Sequence, residues 1–146
     1  FKIDKKSRLS LPSSYRAILK EENKIEIVLF KSFKYKCIEG CSYRYIKDIS
    51  KRIDQLDIFS DDQDDFSTSI FSELRPIKID QEGRFILSED LLKYSFIKNE
   101  VTFVGQGNSF QIWEPSRAKS RQENSRKRLL KNKKTLKSVI TRGVSE

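Results

Sequence analysis

The 146-residue sequence offers few side chains able to do covalent chemistry. It contains no histidine and only two cysteines, Cys37 and Cys41. Two thiolates cannot complete the four-ligand shell that a structural zinc prefers. Reduced thiols, one of them buried at the end of a strand, are therefore the expected state, and no metal site is expected. No nucleophile motif, no phosphate-cradling glycine loop and no pair of acids in an apolar setting is present. An enzyme is the class these absences set aside, with no catalytic residue, no cofactor and no small-molecule substrate expected. What remains is a repeated spacing of charge, Asp4-Lys5-Lys6-Ser7-Arg8 and Asp80-Gln81-Glu82-Gly83-Arg84. In each, the aspartate lies four residues before an arginine, close enough to pair with it and hold a turn shut.

Those two segments belong to a longer echo. Ile3 to Leu11 aligns with Ile79 to Leu87 at an offset of 76 residues, with Ile, Asp, Arg and Leu coinciding and Leu9 facing Phe85. A helix is expected after each, over Pro12 to Leu19 with Ser10 or Ser13 as cap, and over Glu89 to Tyr94 after Ser88. Each is followed by an apolar strand, Ile25 to Phe30 and Val101 to Val104, and then by a second strand, Tyr35 to Ile38 and Phe110 to Trp113. Gly105-Gln106-Gly107-Asn108 reads as a hairpin turn, because glycine and asparagine tolerate positive φ. A strand-turn-helix-strand-strand order met twice points to tandem duplication. Trp113 and Phe110 read as core residues.

Between the copies, Ser42 can cap a helix in which Ile46, Ile49, Ile53 and Leu56 form one apolar stripe. Ser60 precedes a second helix whose first turn carries Asp61, Asp62, Asp64 and Asp65, acids that the helix dipole favours there. Its buried side is expected to be Phe66, Ile70, Phe71 and Leu74. Pro76 ends this helix and leads into the second copy. The resulting organisation is a first repeat at 1–41, a helical insert at 42–75, a second repeat at 76–115 and a basic tail at 116–146.

The formal net charge of +9 is confined to that tail. Residues 1–114 hold 19 Lys and Arg against 19 Asp and Glu, whereas residues 115–146 hold 11 against 2. A neutral body presents a cationic face only if its acids lie elsewhere. Aspartates do crowd residues 54–65, and Lys2, Lys5, Lys6 and Arg8 crowd the start. The tail has scattered apolar residues, Leu129, Leu130, Leu136, Val139 and Ile140, and reads either as a helix from about Ser125 or as a mobile arm. Neither a membrane span nor a signal peptide is recognised, which points to a cytoplasmic protein.

Asp4-Lys5-Lys6-Ser7-Arg8 with Leu9-Ser10-Leu11-Pro12 and Tyr15-Arg16 resembles the first half-motif of MraZ proteins. Asp80-Gln81-Glu82-Gly83-Arg84 resembles the second, and Phe103 to Trp113 is similar to that family's second hairpin. The resemblance extends to about Glu114. It implies an α+β, mainly β fold of two AbrB-like swapped-hairpin half-barrels with helices between them. It also implies a ring-like homo-oligomer that binds repeated DNA boxes near its own promoter and usually represses the division and cell wall gene cluster, hence a nucleoid-associated protein. Carried over residue by residue, it assigns DNA contact to Arg8 and Arg84. An arginine fork suits phosphate or the O6/N7 edge of guanine, and Lys5, Lys6 and Arg16 suit the DNA backbone. Three departures stand out. Ser7 replaces the usual glycine, so the first turn is expected to reach positive φ less readily. Glu82 adds a negative charge to the second turn, and little chain precedes Asp4. An antitoxin-like or RNA-binding module is the alternative on the same fold.

Overall fold

The computed structural model describes residues 1–21 and 26–139. Ile25, where the first apolar strand was expected to begin, and Ile140 of the tail lie outside them. The chain divides into two compact units, Phe1–Glu114 and Pro115–Glu146.

The first unit is α+β, with mainly strands. In chain order it runs β1 (Arg8–Ser10), α1 (Ser13–Glu21), β2 (Glu26–Lys31), β3 (Ile38–Cys41), α2 (Tyr43–Asp54) and α3 (Asp61–Phe71). It continues through β4 (Arg75–Lys78), β5 (Arg84–Ile86), α4 (Glu89–Ser95), β6 (Thr102–Gly105) and β7 (Ser109–Trp113). Among the described residues the strands form two antiparallel sheets: a ribbon of β1 and β5, and a five-stranded sheet in the order β4-β2-β3-β7-β6.

The apolar run of β2 is continuous because both faces of its sheet are covered. Side chains alternate along a strand. Ile27 and Leu29 enter one core with Leu9, Leu11, Ile38, Phe85, Leu87, Phe110 and Ile112. Val28 and Phe30 enter a second core with Cys41, Ile46, Ile53 and Ile70. Helices α2 and α3 supply the second core's far side, each begun by the expected serine. Ser42 Oγ accepts the Tyr45 N–H, and Ser60 Oγ accepts the Gln63 N–H.

The structure departs from the sequence reading in four places. The strand expected over Tyr35 to Ile38 is displaced to Ile38–Cys41. Ser32 Oγ accepts the Lys34 and Tyr35 N–H groups, and the Ser32 N–H donates to the Cys37 carbonyl. These bonds curl residues 33–37 into a bend instead of a ladder. Second, Pro76 sits inside a strand, β4, that the sequence did not suggest. A proline without an N–H is tolerated there because β4 is the sheet's edge. Third, α3 buries Ile70, whereas Phe66 and Phe71 stay exposed. Phe66 meets Phe33 edge-on at the surface, with ring centroids 5.4 Å apart. Fourth, the tail is helical well before Ser125. The second unit contains α5 (Pro115–Lys131), with proline in the first turn where its missing N–H costs nothing, and α6 (Leu136–Val139). No helix of the described residues is long and apolar enough to cross a membrane.

Candidate nucleic-acid interface

The two Asp-x-x-x-Arg segments fold into turns with the same wiring. Asp4 Oδ1 accepts the N–H groups of Lys6 and Arg8, both at 2.9 Å, and Asp80 Oδ1 accepts those of Glu82 and Arg84, also at 2.9 Å. The Ser7 N–H donates to the Asp4 carbonyl and the Gly83 N–H to the Asp80 carbonyl, both at 3.0 Å. Each aspartate's other oxygen takes the arginine Nε, at 2.6 Å for Arg8 and 3.2 Å for Arg84. The arginine's backbone N–H is the main cause that holds each carboxyl below the usual aspartate value. Its guanidinium adds to this, and partial desolvation opposes it. Such a network closes a turn around a residue of positive φ. Gly83 sits there at φ 78°, and Ser7 at φ 62°. The doubt raised by serine is thereby corrected: the bonds to Asp4 hold a conformation that serine alone disfavours.

The turns also brace each other. The Leu11 N–H donates to the Gly83 carbonyl at 2.8 Å, and the Leu87 N–H to the Ser7 carbonyl at 3.0 Å. Strands β1 and β5 leave the turns and pair, with Arg8 opposite Ile86, Leu9 opposite Phe85 and Ser10 opposite Arg84. Leu9 and Phe85, at 1% and 2% exposure, point into the core. By strand alternation Arg8, Ser10, Arg84 and Ile86 occupy the ribbon's outer face.

The expected site residues do not share one setting. Arg8 and Arg84 are each tied to an aspartate, with side chains 31% and 29% exposed. Lys5 and Lys6 are exposed in the first turn. Their counterparts are Gln81 and Glu82, and Glu82 pairs with Arg84 Nη2 at 2.9 Å. The first turn therefore carries excess positive charge and the second does not. Arg16, on α1, leans across to the second turn. A Cβ at Gly83 would lie 2.5 Å from its Nη1 and 2.7 Å from its Cδ. Its Nε is buried, with no hydrogen-bond partner among the described residues.

One group escaped the sequence reading. Glu39 faces a cavity of about 500 Å³ between the large sheet and α2 and α3, lined also by Phe30, Cys41, Tyr45, Ile53 and Gln111. Gln111 Nε2 donates to Glu39 Oε1 at 2.9 Å, and Trp113 Nε1 donates to Gln111 Oε1 at 2.9 Å. Burial raises the Glu39 carboxyl above its ordinary value, against the pull of the Gln111 hydrogen bond. A lone glutamate in a strand gives no such signal beforehand. Cys37 and Cys41 are both buried thiols.

Fold and turns together define a small α+β protein whose distinctive surface is a ribbon carrying two aspartate-anchored arginines. Comparison with known proteins places the chain more narrowly. A family model described as "MraZ protein, putative antitoxin-like" matches residues 70–140. The chain is similar to the transcriptional regulator MraZ of Pelagibacter ubique, at 43% identity over 93% of this chain and 88% of the relative. It is also similar to the proteins of the same name from Rickettsia canadensis, at 35% over 94% and 92%, and from Rickettsia bellii, at 37% over 94% and 91%. The chain belongs to the MraZ family.

Proposed function

We propose that this protein is a transcriptional regulator that binds DNA through the outer face of the β1–β5 ribbon and its two turns. Arg8 and Arg84 contact phosphate or guanine, while Lys5, Lys6 and Arg16 act on the DNA backbone. The observation that carries this reading is the ribbon register, which sets both arginines on one face of the paired strands. An arginine pre-paired with aspartate loses little freedom on binding, since its fork is already oriented. The two turn-and-strand segments act as paired half-barrels of one swapped-hairpin unit. One such unit binds weakly, and a ring-like homo-oligomer that repeats it would multiply effective concentration along repeated promoter boxes. The printed names of the relatives support regulation of transcription. Repression of a gene cluster that includes the protein's own gene, with residence on the nucleoid, completes the proposal.

A mobility shift on the DNA upstream of the protein's own gene, repeated across a salt series, tests it. Arg8→Glu is expected to abolish the specific shift while light scattering shows the assembly unchanged. Binding by the variant equal to wild type removes the arginine assignment. Removing residues 116–146 is expected to flatten the salt dependence if the basic tail adds phosphate contacts.

A further inference from the structure

The outer face of the ribbon is not purely polar. Ile86 lies on it at 58% exposure, directly opposite Arg8 across the strands and two residues along from Arg84. A single exposed isoleucine is ordinary on a protein surface. This one is set apart by its company and its counterpart. It shares the ribbon face with both arginines, and the matching position of the first segment, Ser10, is a small hydroxyl. Cross-strand pairing fixes its Cα, and β-branching restricts its χ1, so its methyl groups form a stiff apolar surface. In the major groove the apolar feature a base edge presents is the C5-methyl of thymine, which stands beside the acceptors that an arginine fork engages on a neighbouring guanine.

We propose that Ile86 is a specificity-determining residue that packs against a thymine methyl next to the base held by Arg8. Ser10, which can donate to or accept from any base, leaves the other half of the ribbon permissive. The two halves of the ribbon are thus unequal readers, and the bound step is asymmetric. This rests on the DNA-binding reading above and deepens it.

The test uses the full chain and the shortest upstream duplex that wild type retains, made with thymine and again with uracil. Uracil removes the C5-methyl and keeps base pairing. Wild type is expected to bind the uracil duplex about fourfold more weakly, the worth of burying one methyl group. Ile86→Ser, which installs the side chain of the matching position, is expected to bind both duplexes alike and to remain sensitive to Arg8→Ala. Because wild type is compared on two duplexes, the main readout does not depend on a variant that must fold. Equal binding of both duplexes by wild type overturns the assignment. So does an unchanged thymine preference in Ile86→Ser, or a loss of assembly in that variant with the preference intact, which would make Ile86 a contact between copies. If wild type retains no upstream duplex of any length, the DNA-binding reading itself fails, a result distinct from a missing thymine preference.

Discussion

Leu9 and Phe85 face each other across the β1–β5 ribbon, both directed into the same core. Because side chains alternate along a strand, burying that pair leaves Arg8 and Arg84 on the opposite, outer face. The orientation of the arginines is thus a consequence of core packing, and it holds as long as the hydrophobic pair does.

The anchoring aspartates make stability sensitive to acid. Both carboxyls titrate below the ordinary aspartate value, so the turns are fully stabilised at neutral pH. That contribution is lost as pH falls through the ordinary value toward the lowered one, because the unfolded chain binds the protons first. Thermal melts between pH 7 and pH 3 are expected to show wild type losing more of its Tm than the Asp4→Asn, Asp80→Asn double variant. The variant starts lower at pH 7. Parallel pH profiles for the two proteins would show that the turns do not depend on these carboxylates.

Gly83 and Gly107 share φ 78° but differ in surroundings. A methyl at Gly107 meets nothing within 4 Å, whereas one at Gly83 runs into Arg16. Gly107→Ala should cost about 1 kcal/mol from backbone strain alone. Gly83→Ala should cost more, and adding Arg16→Ala should recover part of the excess, as a double-mutant cycle by urea denaturation would measure. Additive effects at positions 16 and 83 would mean that the contact carries no energy.

Glu39 works in the opposite sense to the turn aspartates. Its carboxyl is raised because burial disfavours the charge, so the charged form costs stability above the ordinary glutamate range and the fold gains as pH falls. Glu39→Gln keeps an acceptor for the Gln111 amide and removes the charge. Its Tm at pH 7 should exceed that of wild type, with the difference vanishing near pH 4. A lower Tm at pH 7 would show that the ionised carboxylate is needed.

Much of this was legible beforehand. The matched spacing of Asp4 to Arg8 and Asp80 to Arg84 announced two like turns, and serines 42, 60 and 88 each cap the helix expected after them. The Gly105 to Asn108 turn joins paired strands as its composition suggests. What the sequence hid was non-local. Strand β4 exists because β2 offers it a partner, with Val28 opposite Pro76; Pro76 favours extended backbone at Arg75 and Ile77 suits a strand, but four residues name no partner to pair with. The exposure of Phe66 and Phe71 likewise depends on how α3 lies over the sheet, which its own periodicity did not reveal. Lean of Arg16 onto Gly83 joins residues 67 positions apart, and only the braced turns make it intelligible.

The two turns should contribute unequally to DNA affinity. Glu82 engages Arg84 Nη2 and adds negative charge, whereas the first turn has Lys6 at that place. Glu82→Gln is expected to tighten binding several-fold and to steepen its salt dependence, since one more fork becomes available to phosphate. Unchanged affinity in fluorescence anisotropy titrations would argue that the second turn lies away from the DNA.

The most direct measurement is an anisotropy titration of Arg8→Ala against wild type on the upstream duplex between 50 and about 200 mM salt, the range over which phosphate contacts reveal themselves. The expected result is a loss of roughly tenfold or more at fixed salt and a salt slope shallower by up to about one unit, with assembly size unchanged. Matching affinities and matching slopes for the two proteins would contradict it, because the outer face of the ribbon would then have no part in holding DNA.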